Sequence, residues 1–215
     1  MRPVALGVIA LIPTALLVAA LAVLIPLPLA TVVSAAWLGC VQILLVWLLA
    51  MRAWPPSLPV LGLKRPDGSL VKAALLALAA IICSLGFAQL YTMAVTALGW
   101  EILSPPELPS ELLLPGGAAI LSVLALAVLT PLAEEIFFRG FVQRGLVNRW
   151  GPLPGMIVSA AVFSGLHFSP AVLLPVFVTG LLLGALYWRT GSLWPCIAVH
   201  AAQNFVAVLT IMLEL

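Results

Sequence analysis

Glu134, Glu135, Arg139, His167, His200 and Asn204 are the residues of this chain whose types and spacing could do chemistry, because they lie inside hydrophobic stretches. An ionisable group near the centre of a bilayer costs at least about 2.5 kcal/mol. The two acids in Pro131-Leu-Ala-Glu-Glu-Ile-Phe-Phe-Arg139, the imidazole in Phe163-Ser-Gly-Leu-His167 and the one in His200-Ala-Ala-Gln-Asn204 therefore read as one site built from three helices. A carboxylate beside an imidazole can hold a water molecule and take its proton. A second imidazole and an amide can donate hydrogen bonds to a developing oxyanion. Such a set describes hydrolysis of an amide by activated water, with no covalent nucleophile required.

The spacing separates the roles of the two acids. Glu135 and Arg139 are four residues apart with the acid on the N-terminal side, the favourable order for an ion pair on a helix. Glu134 points about 100° away from Glu135 around the helix axis. We expect Glu135 to be neutralised by Arg139 and to fix the helix, which leaves Glu134 free to face a cavity. Phe163 and His167 share one helix face, and His200 and Asn204 share another.

The elements that must position these groups are membrane helices. The 215 residues are 64% hydrophobic and 7% charged, against about 25% charged in soluble domains. The fold class is an all-α, polytopic transmembrane helical bundle. Apolar runs long enough to span a bilayer give seven candidate spans: Val4–Ile25, Leu29–Met51, Ala73–Trp100, Ala118–Phe138, Leu153–Phe168, Ala171–Trp188 and Leu193–Leu213. The run after Arg2 is longer than a signal-peptide core of about 7–15 residues, so the first span is expected to be retained. The net charge of +2 is too small to suggest a nucleic-acid partner.

The basic residues set the orientation. Arg2, Arg52, Lys64, Arg65, Lys72, Arg139, Arg144, Arg149 and Arg189 all fall on one side of the alternation, while the opposite loop from Glu101 to Gly117 has acids and no base. The N-terminus is expected to be cytoplasmic, and with seven spans the C-terminus is outside. Trp54, Trp100, Trp150, Trp188 and Trp194 lie near span ends, as in an aromatic belt. The Pro-rich loop over 52–72, with a turn signal at Pro66-Asp67-Gly68, divides a two-helix N-terminal unit (1–72) from a membrane core (73–215). The chain is expected to be a multi-pass protein of a prokaryotic plasma membrane, with the lipid bilayer as its first partner. Its oligomeric state is not legible.

Depth tests the span assignment. His167 lies about 14 residues into the fifth span, or about 20 Å from its cytoplasmic end. If the fourth span ended at Phe138, Glu134 would be too shallow to meet it. We therefore expect the fourth helix to continue to about Arg149, with Arg139 as a buried partner and Arg144 snorkelling toward the interface. Pro131 is expected to kink this helix just before the acids.

The same residue types are compatible with other chemistries. Glu134, His167 and His200 could form a zinc set with an open fourth position, although H-E-x-x-H is absent. No G-x-S-x-G elbow is present for a serine mechanism. Cys196 and His200 are four residues apart, but Cys196 follows Pro195 in an apolar run, where a thiol lacks access and positive surroundings. Cys40, Cys83 and Cys196 are expected to be small buried residues with no disulfide framework. Membrane acids and imidazoles also carry protons, so a proton relay, or a non-hydrolytic immunity binder, is the alternative of another class. Gly180 and Gly184 form a G-x-x-x-G expected to serve close helix packing.

In this order, E-E-x-x-x-R (Glu134, Glu135, Arg139), F-x-x-x-H (Phe163, His167) and H-x-x-x-N (His200, Asn204) resemble the CPBP family. This is the CAAX protease and bacteriocin-processing, or abortive-infection, group, which includes the type II CAAX prenyl endopeptidases. The resemblance covers about residues 118–208 and leaves out the first two spans. It implies a metal-free intramembrane glutamate endopeptidase with no cofactor, in which Glu134 and His167 activate the water and His200 and Asn204 stabilise the oxyanion. Glu135, Arg139 and Phe163 would support the site. The implied partner is a membrane-associated or lipidated peptide. Spans three and six would flank the site as a lateral gate.

Overall fold

The computed structural model describes residues 1–50, 58–106 and 108–213. Met51, Arg52 and Trp54 lie outside the described residues. The described residues form seven helices, which we number α1 (Arg2–Ala22), α2 (Leu27–Leu49), α3 (Leu70–Ala97), α4 (Gly116–Trp150), α5 (Pro152–Gly165), α6 (Pro170–Thr190) and α7 (Leu193–Leu213). Six of them are long and apolar enough to cross a membrane. The exception is α5, whose 14 residues rise about 21 Å, less than the hydrocarbon thickness of about 30 Å.

Polarity is arranged for lipid. Large apolar side chains such as Ile9, Leu16, Ile82 and Leu90 are exposed on the outside, while Glu135, Arg139, Gln143, Ser159 and Thr190 are buried within. A soluble protein shows the opposite distribution, and exposed apolar surface on this scale needs an apolar surrounding. The same inversion corrects the expectation for the cysteines. Cys196 is buried, but Cys40 and Cys83 are exposed, because an apolar run in a membrane helix faces lipid as readily as protein.

The fourth helix runs on past Phe138 to Trp150, as the depth argument requires. It is not uniformly α-helical. Wider π turns occupy Ala125–Leu129 and Ile136–Gln143, on either side of the two acids. π turns inside α-helices recur at functional sites. The disturbance expected at Pro131 takes the form of a register change: the Thr130 N–H reaches back five residues to the Ala125 carbonyl.

Helix α4 passes between two apolar clusters. Phe137, Phe138 and Phe141 pack with Val4 and Leu11 of α1, Val46 of α2 and Phe163 of α5. Ala80 of α3, Leu183 of α6 and Val199 of α7 belong to the second cluster, and Ile136 touches both. Gly39 lets α2 approach α4 closely, since a Cβ there would stand 3.4 Å from the Ala133 Cβ.

The ends of the bundle agree with the charge alternation. The Leu193 N–H donates to the Gly62 carbonyl at 2.8 Å, the Asp67 N–H to the Thr190 carbonyl at 2.7 Å, and Arg144 to the Val60 carbonyl. Residues 60–67, the C-terminal turns of α4 and the α6–α7 turn thus share one end, together with Lys64, Arg144 and Arg189. Gly68 adopts φ +80° in the expected turn, and Ser69 then caps α3. Trp100, Trp150, Trp188 and Trp194 lie at or near helix ends and are about half exposed.

Candidate active site

Helix α4 presents Glu134 and Glu135 in different directions. Glu135 is fully buried, and its Oε1 lies 2.9 Å from Arg139 Nη1 and 2.8 Å from His200 Nδ1. Glu134 keeps 19% of its side-chain surface, and its Oε2 lies 3.7 Å from His200 Nε2. The expected division therefore holds in geometry, with one addition: the two acids address opposite nitrogens of one imidazole. The 3.7 Å separation is too long for a direct hydrogen bond and suits a shared solvent molecule or a contact that tightens when substrate binds.

Arg139 is 1% exposed. Its Nη2 donates to the Gly180 carbonyl at 3.5 Å, and its guanidinium carbon lies 4.4 Å from the centre of the Phe163 ring. One turn on, Gln143 donates from Nε2 to the Gly184 carbonyl at 3.0 Å. The two small residues of α6 thus leave carbonyls open to α4, and Gly180 also lets α6 press on α5, where an added Cβ would meet Ala160 at 3.1 Å. Their role in close packing is as expected; their hydrogen bonds to α4 were not foreseen.

Phe163 is the tile against which the site is set. Its ring meets His167 at 5.1 Å and His200 at 5.9 Å between centroids, both edge-on. His167 lies beyond the end of α5 at Gly165, in the turn before α6, and not inside a span as expected. Its Nδ1 is 3.0 Å from the Phe163 carbonyl; a carbonyl only accepts, so Nδ1 carries the donated hydrogen and Nε2 is the nitrogen left for other partners. Phe168, the next residue, has φ +50°, an unfavourable conformation for a bulky side chain. The turn that carries His167 is thus held by its surroundings against local preference.

Asn204 is placed by a different device. Pro131 has no N–H, and the Thr130 N–H is directed to Ala125. The Leu126 carbonyl, which either neighbour could have served, accepts from Asn204 Nδ2 at 2.8 Å instead. That contact uses one of the two amide hydrogens. The structure brings Glu134, Glu135, Arg139, Phe163, His167 and His200 into one connected group, with Asn204 one helical turn further along α7.

A cavity of about 120 Å³ opens at Glu134 and His167, with Phe138 and Phe163 behind them and Leu11, Leu38 and Gln42 of the N-terminal helices across from them. The wall facing these two residues is thus made by α1 and α2. Helices α3 and α6, expected to flank the site, are joined by Ser84 Oγ and Thr179 Oγ1 at 2.8 Å. Among the described residues, no three His, Cys, Asp or Glu side chains are grouped to hold a metal ion. Nothing in the motif reading pointed to Gln42 or Gln143, although a glutamine in an apolar helix is the same kind of signal as a buried acid.

A polytopic helical membrane protein with a buried acid–imidazole group is the class these observations define. Residues 116–206 match the family model of Type II CAAX prenyl endopeptidase Rce1-like proteins. Over this segment, a little under half of the chain, the protein is similar to the CAAX-type membrane endopeptidases. No curated protein and no solved structure matches the chain.

Proposed function

We propose that the protein is a glutamate-type intramembrane endopeptidase that cleaves a membrane-associated peptide, with the C-terminal region of a prenylated CAAX-type chain as the substrate class. The observation that carries this reading is the shared cavity of Glu134 and His167, with Glu135 withdrawn into an ion pair behind it. The Glu134 carboxylate takes a proton from water as the oxygen attacks the scissile carbonyl. His167, held through Nδ1, accepts a hydrogen bond from the same water at Nε2. The proton on Glu134 then passes to the leaving nitrogen, which gives a carboxylic acid and an amine from one amide and one water.

The oxyanion is stabilised by His200 and by the second amide hydrogen of Asn204. Because His200 Nδ1 donates to Glu135, its Nε2 can donate only when the ring is doubly protonated. In that state Glu134, Glu135, Arg139 and His200 carry a formal charge of zero together. A site that is neutral as a whole suits a low-dielectric position better than one with an unbalanced charge.

The test uses purified protein in detergent and a farnesylated CAAX peptide carrying a fluorophore and a quencher. Cleavage by the parent protein should persist after exhaustive chelation and vanish in Glu134→Gln, which keeps the parent melting temperature. Cleavage retained in Glu134→Gln overturns the assignment of the base. Cleavage lost on chelation and restored by zinc overturns the metal-free mechanism and returns Glu134, His167 and His200 to the role of ligands.

A further inference from the structure

Gln42 is a polar residue in the middle of the apolar helix α2, and it is 5% exposed. A carboxamide at such a place ordinarily finds a hydrogen-bond partner in the protein. Gln42 makes none with the described residues, yet its nitrogen and oxygen are not among the polar atoms sealed from contact. Gln42 lines the cavity shared by Glu134 and His167. It is a nine-tenths buried polar side chain without a hydrogen-bond partner among the described residues, and it belongs to the helix pair outside the family match at 116–206.

We propose that Gln42 is a substrate-binding residue: its carboxamide hydrogen-bonds the main chain of the peptide beside the scissile bond, while Leu11, Ala15 and Leu38 receive the neighbouring apolar side chain. This inference rests on the endopeptidase reading. The chemistry matches on both sides. A peptide unit entering an apolar cavity leaves water and needs a donor and an acceptor, and a carboxamide supplies both. The apolar residues of α1 and α2 around it offer nothing that would compete. The N-terminal unit thereby acquires a part in selecting substrate, which no residue of 116–206 on that wall could take. Gly39, one turn before Gln42, sets the distance by letting α2 close on α4 next to Glu134.

The closing experiment combines stability, binding and turnover of Gln42→Leu in detergent, with a farnesylated, dye-labelled CAAX peptide as the probe. Binding is measured on the Glu134→Gln background, so it does not depend on cleavage. The dissociation constant and KM should each rise about three- to tenfold, the range for one lost neutral hydrogen bond, with kcat little changed. The melting temperature should stay level or rise, since an unpaired buried amide is replaced by an apolar group. A fall in melting temperature would make Gln42 structural and overturn the proposal. Unchanged binding, absence of probe binding to the Glu134→Gln parent, or a loss confined to kcat would overturn it too, the last by assigning Gln42 to the water. Failure of the wild type to cleave while Gln42→Leu still weakens binding overturns the endopeptidase reading and leaves the peptide subsite standing.

Discussion

Glu135→Ala should damage the fold far more than Glu134→Ala, although the two residues are adjacent and chemically identical. Glu135 is fully buried, and its Oε1 serves Arg139 at 2.9 Å and His200 at 2.8 Å. Without it, Arg139 keeps, among the described residues, the Gly180 carbonyl at 3.5 Å and the face of Phe163 at 4.4 Å. Removing one partner of a buried ion pair costs about 3–5 kcal/mol, because the other charge stays buried and uncompensated. For a chain of this size that corresponds to a fall of roughly 6–20 °C in melting temperature. Glu134 is 19% exposed with one contact at 3.7 Å, so its removal should cost about 1 kcal/mol or less. Thermal unfolding of the two variants in one detergent, followed by tryptophan fluorescence, measures the difference. The double variant Glu135→Leu/Arg139→Met should recover part of the loss, since apolar replacement of a buried pair is often neutral or stabilising while His200 Nδ1 still lacks its acceptor. Equal melting of the two single variants, or no recovery in the double variant, would refute the argument.

Two further predictions rest on other parts of the site. Asn204→Ala should lower turnover by about 10²–10³, the cost of one oxyanion donor, while the Leu126 carbonyl left without its partner lowers stability by only about 1–3 kcal/mol; steady-state kinetics and a melting curve separate these. Gly155→Ala should destabilise more than Gly184→Ala, because a Cβ at 155 would stand 2.6 Å from the Val147 backbone nitrogen, whereas one at 184 would meet the end of the Gln143 side chain at 2.7 Å, and a side chain can move.

Much of the architecture was legible because charge is so scarce in this chain. The conflict between the depth of Glu134 and that of His167 was enough to extend α4 to Trp150 and to turn Arg139 from a boundary marker into a buried partner. The residues of the candidate site stand out in the sequence for the same reason. What the sequence concealed lies between helices. The helices are apolar on all sides, so periodicity does not say which face meets protein, and Cys40 and Cys83 were placed on the wrong one. Register within α4 depends on Thr130, Pro131 and the side chain of Asn204 on a helix far along the chain, and no local pattern announces a π turn. The end of α5 before His167 likewise follows from the turn into α6 and not from a change in composition. Gln42 and Gln143 carry no charge to mark them in the sequence, although at that depth an amide also needs a partner.

The arrangement gives a physical reason for two consecutive glutamates. Side chains at neighbouring helical positions diverge by about 100°, so two such carboxylates cannot converge on one atom. They can reach the two nitrogens of one ring lying across the helix face, and His200 is placed so, with Nδ1 at Glu135 and Nε2 at Glu134. The Glu135 contact is short and buried, and it fixes which nitrogen carries the permanent proton. The Glu134 contact is long and open to the cavity, where a proton can be exchanged with something that enters. Arg139 then does more than neutralise a charge. It pairs with the same Glu135 oxygen that faces His200 Nδ1, and so holds that carboxylate in place while Nε2 is turned toward Glu134. Arg139→Lys keeps the charge but not the reach to both Glu135 and the Gly180 carbonyl in one plane, so it should retain the fold better than Arg139→Ala and still lose turnover, as stability and kinetics measured side by side would show. Full turnover in Arg139→Lys would mean that only the charge at that position matters.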